Sequence, residues 1–442
     1  MAHINSHKLW LALSLSITTT SALASPQAFM SSRSFAMGGT GVAISHPASA
    51  TMANPAMMAA DQHGWSDDFG LTLPSLNARI ADEEETVDQI DDIQDVLDQF
   101  DSIASGIKNS STISQQDANS LMRQATDLRD RLVDLDKDTM RANIGLGLAL
   151  AVPSKTLSVG FFTNANLTAT VRGELSNNDR DFLNTLVDAA NTQDPDTVKS
   201  LVENAAIDQD GNISFDSRGR VLASAVGEFG VSFARQLELS NGQPLQLGLT
   251  PKYVELRTFQ YTESVSGFED DEFDGDQYQT EKSGFNVDLG AAYAFGDEQQ
   301  WNAGIAIKNL IPMELKSAAS RPDLSEEVRT LELNPMATIG VAHKSDFHVV
   351  TAEVDLTKKE AFGFEDDTQW LALGAEFDVF RFAQLRGGVR YNLASNDDNQ
   401  GISEETQLTA GIGLNLFGAR LDLGALFSDA DTGAALELGA AF

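Results

Sequence analysis

Asn143-Ile144-Gly145-Leu146-Gly147-Leu148-Ala149-Leu150-Ala151-Val152 decides the fold class. Large apolar side chains occupy every second position, and Asn, Gly and Ala fill the positions between. Successive side chains of a strand point to opposite faces, so this stretch has one apolar face and one of small or polar groups. The pattern returns at Phe285–Phe295, where Phe285, Val287, Leu289, Ala291, Tyr293 and Phe295 alternate with Asn286, Asp288, Gly290, Ala292 and Ala294. It returns again with Leu408, Ala410, Ile412, Leu414 and Leu416. A soluble sandwich turns such an apolar face inward, whereas a membrane barrel turns it out to lipid. Runs of about 10–12 residues exceed ordinary soluble strands and match a tilted bilayer crossing.

Connection lengths point the same way. Strands are predicted near 68–79, 142–152, 155–172, 224–238, 244–260, 284–295, 300–309, 335–343, 347–357, 368–379, 382–392, 406–417, 419–428 and 433–442. Long connections (80–141, 173–223, 261–283, 310–334) alternate with short ones at Pro153-Ser154, Leu239–Gln243, Gly296–Gln299 and Lys344–Asp346. Bacterial outer-membrane barrels have long outer loops, short periplasmic turns and an even strand count. The expected fold is an all-β membrane protein: a 14-stranded antiparallel outer-membrane barrel, within a range of 12–16 strands. A secreted sandwich or solenoid is the alternative. The last strand places Ala434, Leu436, Leu438, Ala440 and Phe442 on one face, and its terminal aromatic resembles the signal read by the barrel-assembly machinery.

Composition agrees. The chain has 442 residues, with 30 Lys+Arg against 65 Asp+Glu, a net charge of −35. Such an acidic surface is unsuited to nucleic acid, whose binding draws on released phosphate counterions. Cysteine is absent, which excludes disulfides, thiolate metal sites and Cys nucleophiles. Residues 1–24 read as a cleaved signal peptide: His3, His7 and Lys8, then the apolar run Leu9–Ile17, then Ala22-Leu23-Ala24 before Ser25. The expected location is the outer membrane of a Gram-negative cell, in contact with its lipid and lipopolysaccharide.

Two insertions are helical by spacing. Val87, Ile90, Ile93, Leu97, Phe100 and Ile103 recur every three or four residues, as do Leu121, Ala125, Leu128, Leu132 and Leu135. A hairpin turning over Gly106–Ser114 is expected within 80–141. A second insertion in 173–223 uses Phe182, Leu183, Leu186, Val187, Val198, Leu201 and Val202. Ten acids between Asp82 and Asp101 make the first hairpin a solvated face or a docking surface for surface partners.

Residues 25–67 are not strand-like. Arg33-Ser34-Phe35-Ala36-Met37-Gly38-Gly39-Thr40-Gly41-Val42-Ala43, followed by Ala53-Asn54-Pro55-Ala56, lacks the Lys-Ser/Thr of a phosphate loop. It closely resembles the N-terminal plug of the long-chain fatty acid transporter (FadL-like) superfamily. That resemblance implies a hatch at 25–67 carried by Arg33, Gly38, Gly39, Gly41, Asn54 and Pro55, and a barrel over 68–442. Asn334–Ala342, Ala352–Thr357, Leu373–Phe377 and Gln384–Asn392, with Arg33–Gly41, resemble the plasmid-transfer-operon TraF proteins over nearly the whole chain after the signal. A thioredoxin-like protein shares that name, but this cysteine-free chain has neither its pattern nor its chemistry.

No enzyme is expected. His46, His63, His343 and His348 fall in no His-Glu-x-x-His, and there is no Gly-x-Ser-x-Gly. No cofactor is expected either. Asp270, Glu272, Asp274, Gly275 and Glu281 have calcium-loop spacing, and Asp208–Phe215 mimics the middle of one, but both read as ordinary acidic loops. Strand parity turns Glu353, Asp355, Glu376, Asp378, Arg386, Arg390 and Asp422 to the interior, as a rigid charge ladder or a solute-selecting constriction. The resemblance implies a hatch-gated channel for hydrophobic or small solutes, with a hydrophobic small molecule as partner. The alternative is an envelope protein supporting conjugation or cell contact through its helical loops.

Overall fold

The computed structural model describes residues 29–60, 69–82, 86–192, 194–208, 211–266, 275–319, 321–324, 326–379, 382–394 and 402–441. The signal peptide expected at 1–24, the acidic run 270–274 and Phe442 lie outside them.

The strands are β1 Phe69–Ala81, β2 Thr139–Val152, β3 Ser158–Glu174, β4 Arg218–Glu238, β5 Pro244–Ser264, β6 Gln279–Phe295, β7 Trp301–Lys308 and β8 Met313–Lys316. They continue as β9 Thr330–Leu333, β10 Met336–Lys344, β11 His348–Asp355, β12 Trp370–Val379, β13 Ala383–Asn392, β14 Thr406–Leu416, β15 Ala419–Phe427 and β16 Asp431–Ala441. All but β8 and β9 form one closed antiparallel barrel of 14 strands, with neighbours in chain order and β16 returning to β1. Closure removes every unpaired edge, which a lipid-exposed sheet needs because no water satisfies its backbone. The apolar parity faces out: Ile144, Leu146 and Leu150 are exposed, while Asn143 and Ala149 are buried.

The structure differs from the sequence reading in four places. The connection 309–335 carries a small separate hairpin, β8–β9, too short to register as strands. Strands β4, β5 and β6 run several residues further at the loop end than expected. Gly106 lies inside a helix, and the turn is confined to 110–114. Pro74, which has no N–H for a ladder, sits in a bulge: Thr72 faces Ala149 and Ser75 faces Gly147. One extra residue there reverses the side-chain parity, so Thr72, Ser75, Asn77 and Arg79 are all buried.

The helices α1 Ser32–Ala36 and α2 Pro47–Ala53 lie inside the barrel. The others, α3 Thr86–Asn109, α4 Gln115–Asp134, α5 Asn177–Asn191 and α6 Pro195–Glu203, stand at the loop end. There the two insertions share one apolar core, including Phe100, Leu121, Leu128, Leu183, Val198 and Phe215. Ser114 and Asp117 form a reciprocal cap at the start of α4. Lys199 Nζ donates to the Ser110 carbonyl at 2.6 Å, tying α6 to the hairpin turn.

Asp101 is half-buried on α3, where it accepts from the Ile213 N–H; burial, then Asp208 and Asp98, push its pKa up to about 6. A carboxyl whose folded pKa is raised binds more protons folded than unfolded, so stability falls as pH rises from the ordinary carboxylate range to about 6. Asp101→Asn is therefore expected to protect the α3–α6 amides from hydrogen exchange at pH 7.5, but not at pH 4. An equal effect at both values would contradict this assignment.

The lipid face is also testable. Arg in place of Leu289 or Ile412, both outward near mid-strand, is expected to cost about 2–4 kcal/mol at the bilayer midplane. Urea unfolding in lipid vesicles measures it; unchanged midpoints would reverse the facing.

Candidate functional site

The barrel interior is occupied by residues 29–60, and the wall is shaped to receive them. Gly248, Gly290, Gly304, Gly374 and Gly388 face this segment, and a β-carbon on any of them would fall closer than 3.0 Å to its atoms. At Gly304 the obstacle is the Val42 carbonyl, and at Gly388 it is the Gly38 amide. Backbone packs on backbone here, a spacing only glycine permits.

The segment's own glycines answer a different requirement. Gly38 and Gly39 have φ of +72° and +86°, the left-handed region, and turn the chain out of α1. The turned Gly38 N–H donates to Thr409 Oγ1 at 2.9 Å. Three successive N–H groups, of Gly41, Val42 and Ala43, then converge on the Glu353 carboxylate at 2.8–3.0 Å. This is an anion-holding nest whose anion is a wall side chain. Asn54 closes the loop: its Nδ2 donates to the Val42 carbonyl at 2.7 Å, and its Oδ1 accepts from the Ala56 N–H at 3.1 Å. Pro55, at the first position of the 3₁₀ turn Pro55–Ala59, has no N–H to leave unsatisfied.

A chain of buried charge runs across the interior. Arg33 grips Glu376 with two parallel hydrogen bonds, 2.9 and 3.0 Å. Glu376 accepts also from Arg386 at 2.5 Å, and Arg386 reaches Asp422 at 2.6 Å. Asp422 accepts from Arg420 at 2.6 Å, and Arg420 donates to His46 Nδ1 at 3.3 Å. Both ends of this chain, Arg33 and His46, belong to the interior segment. Charges withdrawn from water need such saturation with opposite partners.

The other interior acids and bases separate from this line. Asp355 accepts from Thr338 Oγ1 at 2.7 Å. Among the described residues Arg390 makes no carboxylate hydrogen bond; it donates to Gln407 at 2.5 Å and lies 4.2 Å from the centroid of the Trp370 ring. Asp378 lies at the turn end, where its N–H donates to the Phe347 carbonyl. Arg420, His46 and Glu437 were missed by the sequence reading. Arg420 shares the parity of Asp422, and Glu437 that of the buried Ala435, so strand parity alone could have found both. A separate cluster sets Lys252 Nζ 2.6 Å from Glu228 and 2.8 Å from Asp288. Among the described residues no group of three or more His, Asp or Glu is placed to hold a metal ion.

Beside the segment lies a cavity of about 130 Å³. Phe29, Met52, Met336 and Trp370 give it apolar walls; Lys308, Glu353 and Arg390 give it charge. Its volume approaches that of an engineered cavity that takes up benzene.

Comparison with solved structures finds barrels of the same kind. The TodX deltaS2S3 mutant, titled a monoaromatic hydrocarbon channel, is 12% identical with a TM-score of 0.50, covering 94% of this chain and 99% of that one. The Pseudomonas putida toluene transporter TodX is 13% identical at a TM-score of 0.47, with 96% and 100% covered. A Pseudomonas aeruginosa FadL homologue is 11% identical at 0.43, with 95% and 99% covered. At such identities the likeness is one of fold. No curated protein matches. A family model described as "F plasmid transfer operon, TraF, protein" matches residues 51–355, well over half of the chain. This outer-membrane-type barrel, with its filled interior, therefore belongs to that TraF family.

Proposed function

We propose that the protein is an outer-membrane channel for hydrophobic or small solutes, with residues 25–67 acting as its plug. The observation that carries this reading is the fit of segment 29–60 to a glycine-lined wall, with a partly apolar cavity left beside it. A barrel serving only as an anchor has no need of an interior segment fitted to its wall in this way. The fold is shared with a monoaromatic hydrocarbon channel, which supports the solute class.

In this reading the signal peptide is cleaved before Ser25, and the barrel-assembly machinery inserts the mature chain among lipid and lipopolysaccharide. The short turns face the periplasm and the helical insertions face outward. An epitope tag at Ser111, in the exposed hairpin turn, is expected to label on intact cells, and one at Asn241 is not. The reverse labelling would invert the topology.

The direct test of transport is planar-bilayer recording with solute uptake by vesicles. Deleting residues 29–60 from a barrel that keeps its heat-modifiable mobility is expected to raise conductance. A folded but silent deletion variant, with no solute uptake by the whole chain, would remove the channel reading. The second reading, a role in conjugation through the outer loops, is favoured by the shared core of α3–α6, a folded surface beyond what a pore needs. It predicts loss of mating on deletion of that cap with conductance intact.

A further inference from the structure

The connection 356–369, between β11 and β12, folds inward rather than out. Phe362 and Phe364 join one buried apolar cluster with Leu222, Val226 and Leu256 at the loop end of β4 and β5 and with Leu315 and Leu331 of the β8–β9 hairpin. Two guanidinium groups lie over the Phe364 ring: Arg172 from β3 and Arg329 from the stretch before β9, each 4.9 Å from its centroid. Arg329 Nη1 also holds the loop by its backbone, donating to the carbonyls of Phe362 at 3.0 Å and Gly363 at 3.1 Å. Gly363 passes so close to Thr170 that a β-carbon there would collide with its hydroxyl.

The charge around this ring is unusual for a chain of net charge −35. Arg172, Arg218, Arg220 and Arg329 gather here with Glu174, Glu365 and Asp136, four guanidinium groups against three carboxylates. Glu174 is engaged by Arg218 at 2.9 Å and Arg220 at 3.0 Å. The two arginines over the phenyl ring are thus set where cationic groups outnumber carboxylates. A guanidinium stacks on an aromatic face through charge–quadrupole attraction, and a carboxylate at the ring edge would add a charge-assisted hydrogen bond.

We propose that Phe364 is a built-in stopper occupying a solute site, and that the solutes admitted there are planar aromatic anions. The ring of such a solute replaces Phe364 beside Arg172 and Arg329, its body rests in the apolar cluster of β4, β5 and the β8–β9 hairpin, and its negative group meets the arginine cluster. A saturated ring lacks the quadrupole, and a neutral aromatic lacks the charge. Loop 356–369 also contributes Lys359 and Thr368 to the cavity beside segment 29–60, so its withdrawal opens the outer end of that cavity. The inference builds on the channel reading but concerns binding, which can be measured without transport.

The test uses the full detergent-solubilised barrel and titration calorimetry with benzoate, toluene and cyclohexanecarboxylate. Phe364→Ala is expected to bind benzoate at least about tenfold more tightly than the wild type, with Arg172→Gln or Arg329→Gln in that background reversing the gain. Gly363→Ala, which lifts the loop without altering the stopper ring, is expected to act in the same direction. Heat-modifiable mobility verifies that each variant is folded. Equal affinity for cyclohexanecarboxylate would overturn the aromatic site, and equal affinity for toluene would overturn the anion preference. Failure of folded Phe364→Ala and Gly363→Ala to bind benzoate would overturn the proposal outright. Tight benzoate binding without conductance would leave the site standing and remove only the channel.

Discussion

Replacing Glu376 with Ala is expected to destabilise the protein by about 3–5 kcal/mol, because two arginines then lose the carboxylate they share in a buried site. Arg33 comes from the interior segment and Arg386 from the wall, each within hydrogen-bonding distance of Glu376. Their mutual repulsion, no longer offset, acts between segment and barrel rather than within either. The loss should therefore appear first as release of segment 29–60. Urea titration followed by gel mobility reads the stability, and bilayer recording reads the release as new open events. Replacing Arg33 and Glu376 together with Met and Leu removes one of the two guanidinium groups and leaves Arg386 its bond to Asp422, and should recover part of the loss. Wild-type stability in Glu376→Ala would show that the charge chain is not what seats the segment.

The second large effect is steric. Gly388→Val should displace the Met37–Gly38 backbone, since even a β-carbon at that position overlaps the Gly38 amide. Overpacking a fitted core costs typically about 1–3 kcal/mol when neighbours can shift. Here the neighbour is main chain, held by Thr409 on one side and by Glu353 just beyond, so expulsion of the segment is the cheaper response. Gly387→Val is the matched control, because a β-carbon there finds its nearest neighbour at 3.8 Å, the Thr409 carbonyl oxygen. The expected outcome is protease cleavage between residues 29 and 60 in the Gly388 variant alone. Cleavage of both variants, or of neither, would refute the glycine-cradle account.

Strand parity makes the barrel legible in the sequence, since a wall between lipid and a polar interior imposes a period of two on each crossing. Parity also turned Glu376, Arg386 and Asp422 inward. It did not reveal which of them touch, because partner choice depends on register across several strands: Arg386 faces Gly411, and Asp422 faces Gly413 one strand further. Glu353 was less legible still. Its partners are three backbone N–H groups, and main chain carries no mark in a sequence. The wall glycines at 248, 304 and 388 were visible as small residues on a polar face, yet what they accommodate appears only once segment 29–60 is in place. The β8–β9 hairpin escaped because four residues per strand give no periodicity to read.

One carboxylate has a consequence for how the molecule is made. Glu437 on β16 accepts from Ser75 Oγ of β1 at 2.8 Å and from the Ser32 N–H at 3.2 Å, 405 residues away. The seam where first and last strands meet is thus joined to the earliest described stretch of chain. Synthesis delivers Ser32 near the beginning and Glu437 near the end, so the early stretch must wait, unpaired, while the intervening strands are laid down. Contacts of such sequence separation form late and slowly. Ring closure and internal docking thus draw on the same side chain, and a nascent cylinder that zips shut while empty has no wide side door left for its missing tenant.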